Sequence, residues 1–265
     1  MTAELRALAE SIARDAGAVL RERFEKTRTV EFKGRDTDLV TDADRASEAL
    51  ILGRLAREVP SHAVLSEEDG AHGAAGGYRW FVDPLDGTVN YAHGVPHFCV
   101  TLAVEDQRGL VAGVVLDPLR DECFSAGRGQ GASLNGRVLR ASPAGSLERA
   151  LLCTGFPYDV RERPQAPLGL LGRLLTQAQG MRRMGSAALE LAYVAAGRFD
   201  GFFEFGLKPW DIAAGGLLVT EAGGVMRQLG SQPWSPLASD IMAAAPGIAE
   251  ALARECADFV ATTPR

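Results

Sequence analysis

The chain has 265 residues, 46% of them hydrophobic and 23% charged, a composition that builds a packed core and excludes intrinsic disorder. The formal net charge is −6, so the chain as a whole lacks the basic face that neutralises nucleic-acid phosphates; a local patch around Arg182 and Arg183 is the exception. No apolar run approaches the roughly 18–20 residues of a membrane span, and the N-terminus enters an amphipathic pattern directly, so a soluble cytoplasmic protein with no membrane partner is expected.

From Leu5 onward, Leu8, Ala9, Ile12, Ala13, Ala16 and Val19 recur at helical spacing, which predicts a helix over 3–24. After a polar stretch from Lys33, Asp42 or Asp44 caps a second predicted helix that runs to about Val59 and stops at Pro60. His62–Ser66 is a strand candidate that ends in Glu67-Glu68-Asp69, and Tyr78–Asp83 is another by its aromatic and β-branched content. Strands over His97–Val104 and Gly109–Leu116, followed by turn signals at Gly127–Gly131 and Asn135-Gly136, predict an antiparallel meander. Beyond it the pattern alternates: strand near 150–154, helix 165–179, strand 181–184, helix 186–196, strand 200–205. Helix 211–222, strands 224–228 and 240–245, and helix 247–260 complete it. The expected fold is one layered, mixed α/β domain over 1–265. Its N-terminal half, about 1–140, carries an antiparallel-rich sheet, and its C-terminal half, about 141–265, a second mixed sheet.

Chemistry concentrates in Asp83-Pro-Leu-Asp-Gly-Thr-Val-Asn, placed where an apolar strand ends. Pro84 pushes Asp83 towards extended geometry, the turn aims Asp83 and Asp86 into one space with the Leu85 carbonyl between them, and Gly87 permits close backbone approach. Should Thr88 open a helix, its unpaired N–H groups favour an anion such as phosphate. Two adjacent carboxylates repel unless a cation neutralises them, and Mg2+ is the economical oxygen-seeking choice. Each acidic segment also has a plainer reading: a surface turn for 83–87, a solvated loop for Glu67–Asp69, a helix N-cap for Asp211. Their joint placement at strand ends and helix starts favours the metal site.

Other site types fail on spacing. Cys99, Cys123, Cys153 and Cys256 form no C-x-x-C pair and read as buried thiols, and the four histidines show no zinc pattern. An EF-hand count from Asp36 puts Thr41 where glycine is needed and Ser47 where glutamate is needed. A D-x-D-G-T nucleophile is also absent, because the first aspartate lies three positions before Asp86; metal-activated water is then the better nucleophile.

Ser66-Glu67-Glu68, Asp83-Pro-Leu-Asp-Gly-Thr-Val-Asn-Tyr and Trp210-Asp-Ile-Ala-Ala-Gly resemble the three signature segments of the inositol monophosphatases. Asp38–Asp44, Gly155-Phe-Pro-Tyr, Gly185-Ser-Ala-Ala and Glu221-Ala-Gly-Gly add matches in family order. The resemblance implies a five-layered αβαβα sandwich, a homodimer, Mg2+ dependence and lithium sensitivity. It implies that Glu67, Asp83, the Leu85 carbonyl, Asp86 and Asp211 bind metal, and that Thr88 and Asp44 orient the attacking water with Glu67. Asp86, Gly87 and Thr88 would hold the phosphate. Gly185, Ser186 and Ala187 would lie beside the substrate, Asp211 and Glu204 would contact the inositol side, and Lys33 would be a basic residue near the metal.

The expected activity is hydrolysis of a small phosphate monoester, inositol 1-phosphate first, by two-metal activation of water. In that scheme Glu67 and Asp83 hold the ion that activates water; Asp83, Asp86 and Asp211 hold the one that steadies the leaving alkoxide. Alternatives are histidinol phosphate, fructose 1,6-bisphosphate, 3′-phosphoadenosine phosphate, NADP or another polyol phosphate. A regulatory, protein-binding role in transcription is a further one. Lys208-Pro209 before Trp210 is a bacterial rather than an animal feature of the resemblance.

Overall fold

The structure is a computed structural model that describes residues 1–24, 26, 30–32, 39–73, 77–230 and 232–262. Lys33, Asp36 and Asp38 lie outside the described residues. Helix α1 spans Thr2–Phe24 and buries Leu5, Ala9, Ile12, Ala13 and Ala16 of the predicted stripe, with Leu20 in place of Val19 and Leu8 only partly buried. A short hairpin follows, β1 (Val30–Phe32) against β2 (Leu39–Thr41), and leads into α2 (Asp42–Glu58). The cap of α2 is Thr41 rather than Asp42 or Asp44. The Thr41 hydroxyl accepts from the N–H groups of Ala43 and Asp44, while the Asp44 carboxylate accepts from the Thr41 N–H at 2.8 Å. A reciprocal pair satisfies more helix-end donors than a lone aspartate does, so the helix starts one residue earlier.

The next eight strands form one sheet: β3 (Ala63–Ser66), β4 (Gly70–His72), β5 (Arg79–Asp86), β6 (Cys99–Asp106), β7 (Gly109–Asp117), β8 (Glu122–Gly127), β9 (Gly131–Leu134) and β10 (Arg137–Val138). Their order is β10-β9-β8-β7-β6-β5-β3-β4, and every pair is antiparallel except β3 with β5. Asn135 and Gly136, at φ of 48° and 79°, make the tight β9–β10 turn that the Asn-Gly pair announces. β5 runs past Asp83 to Asp86, and its register against β6 shifts between the two. Pro84 has no N–H to give the ladder, so the strand bulges there instead of ending.

After the short helix α3 (Thr88–Ala92), β11 (Leu151–Thr154), α4 (Gln165–Leu175), β12 (Gly180–Arg182), α5 (Ala187–Ala195), β13 (Gly201–Glu204), α6 (Pro209–Glu221), β14 (Val225–Gln228), β15 (Ile241–Ala244) and α7 (Ala249–Thr262) follow. The five strands form a mixed sheet ordered β12-β11-β13-β15-β14, parallel at β12-β11-β13 and antiparallel elsewhere. All nine residues of α5 are buried, as is most of α6, and helices so largely apolar belong between two sheets. The α5–α6 pair packs between them, α1 and α2 cover the outer face of the large sheet, and α4 and α7 that of the small one. This is the expected αβαβα sandwich. Among the described residues the four cysteines are buried free thiols, and no helix is long and apolar enough to cross a membrane.

His97, just before β6, is buried against the Tyr193 ring with neither ring nitrogen hydrogen-bonded. Burial, then the Arg120 charge, push its pKa from 6.5 down to about 4, against a weaker opposite pull from Asp117. On acidification the unfolded chain therefore takes up a proton near pH 6.5 that the folded chain refuses until about pH 4, so stability falls across that window. His97→Leu should flatten the pH 4–6.5 slope of urea-unfolding stability by up to about 3 kcal/mol; an unchanged slope would show that His97 does not set it.

Candidate active site

The β5 bulge organises the site. Asp83 is buried, and its Oδ1 accepts the Leu85 N–H at 2.9 Å, a local turn that fixes the carboxylate. From α2, Ser47 Oγ donates to the Pro84 carbonyl at 2.9 Å and ties the bulge to the helix. Asp86 Oδ2 accepts from Ser186 Oγ at 2.7 Å and from the Ala188 N–H at 2.8 Å, so it sits on the N-terminus of α5. Gly87 then takes φ 95°, where an added Cβ would lie 3.0 Å from the His97 carbonyl oxygen, and α3 starts at Thr88. The Thr88 hydroxyl lies 3.0 Å from the Leu85 carbonyl and 3.2 Å from Asp44 Oδ1, while Asp44 Oδ2 is held by Thr41. Its single proton serves one acceptor at a time, which leaves an oxygen lone pair or a proton for a neighbouring water.

Two further segments bring in acids. Glu67 follows β3, and its N–H bonds the Val82 carbonyl of β5 at 3.1 Å. Asp211 is not an N-cap: Lys208 holds that position, Pro209 opens α6, and the Asp211 carboxylate reaches back to the Lys208 N–H at 2.8 Å. Asp86, Gly87, Thr88, Gly185, Ser186, Ala187, Glu204 and Asp211, all predicted, line one cavity of about 100 Å3 with Gly155–Tyr158, Arg183 and Lys208. A larger hollow of about 520 Å3 beside it shares Pro157, Phe205 and Gly206 but holds none of the predicted site residues.

Electrostatics join the segments. Burial pushes the Asp83 carboxyl well above the carboxylate range, and the charges of Glu67, Asp86 and Asp211 push it further. Asp86 rises to about 6, mainly by burial, although its bonds from Ser186 and Ala188 oppose the rise. Asp211 is raised by burial, then by Asp86 and Glu67; Glu204, buried in the cavity wall, by burial, then by Glu190, Asp211 and Asp86. Four acidic groups from separate parts of the chain thus sense one another, and each would hold its charge more readily beside a cation. Among the described residues, Asp83, Asp86 and Asp211 each have one oxygen engaged by the protein and one that accepts no hydrogen bond. Together with the Leu85 carbonyl, this all-oxygen set suits Mg2+ rather than a softer metal. Among the described residues no three His, Cys, Asp or Glu side chains are already gathered as a finished metal cage.

The sequence does not single out Glu48. Its buried Oε1 accepts from Ser66 Oγ and from the N–H groups of Glu68, at 3.2 Å, and Asp69, at 3.1 Å, and so shapes the turn that carries Glu67. A signal exists: Asp44, Ser47 and Glu48 stand at i, i+3 and i+4 on the face of α2 that also buries Ala43 and Ile51. Polar residues on a core face mark a built site.

An aspartate-rich bulge in an inner strand, with a phosphate-sized cavity and helix N-termini around it, suits phosphoryl-group chemistry in a layered α/β fold. A sequence model of the inositol monophosphatase family matches residues 1–260. Nus factor SuhB of Salmonella typhimurium is 43% identical over 247 residues, which cover 92% of both chains. The inositol monophosphatase of Anabaena (Nostoc) sp. PCC 7120 superposes with TM-score 0.87 at 38% identity and covers 98% of this chain and 96% of that one. An IMPase/NADP phosphatase complexed with Mg2+ and phosphate superposes with TM-score 0.80 at 25% identity, over 91% and 90% of the two chains. The chain belongs to the inositol monophosphatase family, and this membership supports a phosphatase of that superfamily.

Removing the Glu48 carboxylate leaves three donors without their acceptor. Glu48→Ala should lose about 1–3 kcal/mol of urea-unfolding stability and slow phosphate release. A variant as stable and active as the parent would show that the Glu67 turn holds itself.

Proposed function

We propose that the chain hydrolyses phosphate monoesters of small polyols, with inositol 1-phosphate as its leading substrate, in a Mg2+-dependent reaction. The observation that carries this reading is that burial and the Glu67 charge raise Asp83, Asp86 and Asp211 together, beside a cavity lined by Gly87, Thr88 and Gly185–Ala187. Glu67, Asp83, the Leu85 carbonyl, Asp86 and Asp211 would hold two Mg2+ ions, which when bound lower the pKa of water and neutralise phosphoryl charge.

The protein groups have their own tasks. Thr88 Oγ1, paired with Asp44 Oδ1, orients a water together with Glu67. Asp86, Gly87 and Thr88 grip the phosphate at the start of α3. Glu204, with Gly185–Ala187, faces the alcohol that leaves and accepts hydrogen bonds from its hydroxyls. Hydroxyl recognition transfers readily among polyols, so histidinol phosphate, fructose 1,6-bisphosphate and glycerol 2-phosphate belong in the substrate panel. In this reading the chain is one domain, its subunits pair as homodimers and lithium inhibits it.

One observation favours a second reading. A relative at 43% identity over 92% of both chains carries the name Nus factor, so a partner-binding role in transcription can stand beside the catalytic one. Capture of transcription proteins from a cell extract by an enzyme that releases no phosphate would favour it.

Asp83→Asn removes the most buried carboxylate of the set and its repulsion, so the variant should fold and melt no lower than the parent. Its Mg2+-dependent phosphate release from inositol 1-phosphate should fall by on the order of 10²–10³, the scale for deleting one preorganised electrostatic group from a hydrolase site. Full activity across a Mg2+ titration would refute the site.

A further inference from the structure

Glu190 belongs to no signature segment, yet it is one of the most buried acids of the chain, 1% exposed in the first turn of α5. Helical side chains lean towards their own N-terminus, and Glu190 leans back onto the loop that enters α5. Its Oε1 accepts the Met184 N–H at 3.0 Å and the Gly185 N–H at 2.9 Å, while its Oε2 is buried with no hydrogen-bond partner among the described residues. The same loop is fixed from the opposite side. Asn90 of α3 donates its Nδ2 to the Met184 carbonyl at 2.8 Å, and Ser186 Oγ and the Ala188 N–H both bond Asp86. Gly185 itself stands at φ 87°, where a side chain would strike Arg183 and Asn90.

We propose that Glu190 is a positioning residue: its carboxyl clamps the Met184 and Gly185 N–H groups and thereby presents Gly185, Ser186 and Ala187 to the substrate cavity. The role in catalysis rests on the phosphatase reading of that cavity; the clamp itself does not. Three facts separate the clamp from a core acid that merely tolerates burial. Two donors converge on one oxygen, which demands an acceptor in a fixed place. The held peptides come directly before Ser186, whose hydroxyl bonds Asp86, so a slip of the loop reaches a phosphate-side residue within one position. An acid buried in an otherwise apolar helix is costly without a task, and burial pushes this carboxyl up to about 8. An amide should therefore imitate the largely neutral acid well, because it keeps the accepting oxygen.

The test compares the full chain with Glu190→Ala and Glu190→Gln by hydrogen exchange over residues 181–188 and by phosphate release from inositol 1-phosphate at saturating Mg2+. In Glu190→Ala the amides of Met184 and Gly185 should exchange up to about tenfold faster, the scale of one lost hydrogen bond. KM should rise by a similar factor while kcat changes less than about threefold, because the lost interaction holds the bound substrate. Glu190→Gln should restore both to within about threefold. If Glu190→Ala fails to fold, Glu190→Asp, which withdraws the carboxylate by one methylene, should show the same faster exchange. Unchanged exchange at Met184 and Gly185 in the truncated variants overturns the clamp. A lower melting temperature with KM and exchange unaltered reduces Glu190 to a structural acid and overturns it too. A parent enzyme that releases no phosphate from any monoester overturns the phosphatase reading instead, while the exchange arm still decides the clamp.

Discussion

Repulsion among carboxylates that the fold forces together is the constraint around which the site is built. Asp83, Asp86 and Asp211 come from β5 and from the start of α6, and Glu67 from the turn after β3, yet the Glu67 charge raises all three aspartates, and Asp86 raises Asp83 and Asp211. Such a cluster opposes folding unless something offsets it. Part of the offset is local: Leu85, Ala188 and Lys208 each give a backbone N–H to one of the aspartates, and two of these donors belong to or adjoin the first turns of α5 and α6. Helix N-termini carry partial positive charge, so α5 and α6 aim stabilising dipoles at the acids. A bound divalent cation would supply the rest.

The layers exist in a form that makes this convergence possible. α5 and α6 are buried along most of their length and fill the seam between the sheets, so their N-termini emerge where β5 of one sheet and β13 of the other end. α2 contributes from the far face of the large sheet: Asp44, Ser47 and Glu48 hold Thr88, the Pro84 carbonyl and the turn of Glu67. One helix face thus braces three parts of the site. A backbone bulge at Pro84 is what brings Asp83 and Asp86 to the same side of a strand whose pleat alone would alternate them.

Much of this is legible in the sequence, for physical reasons. The buried stripe of α1 repeats over more than four turns, and the apolar runs of β6 and β7 exceed what a loop tolerates, so both emerge with nearly their observed bounds. β1, β2 and β4 do not, since three residues carry no measurable period. Liganding aspartates are visible because Pro and Gly punctuate them in the 83–88 turn. Clamping acids are not. Glu48 in α2 and Glu190 in α5 look like ordinary polar positions of a helix, and only burial and their backbone partners reveal them. The plainer reading of Asp211 as an N-cap fails for a related reason: Lys208-Pro209 starts the helix earlier and turns the aspartate into a first-turn acid facing the cavity.

Direct titration of Mg2+ into the protein by isothermal calorimetry, in the parent and in Asp211→Asn, tests the convergence of these acids most directly. The two residues farthest apart in sequence, Glu67 and Asp211, must each hold an ion that Asp83 shares for the account to hold. Saturable binding by the parent, weakened by about tenfold or more in Asp211→Asn, is the predicted result. Equal binding by both proteins, or no binding by the parent, would contradict it.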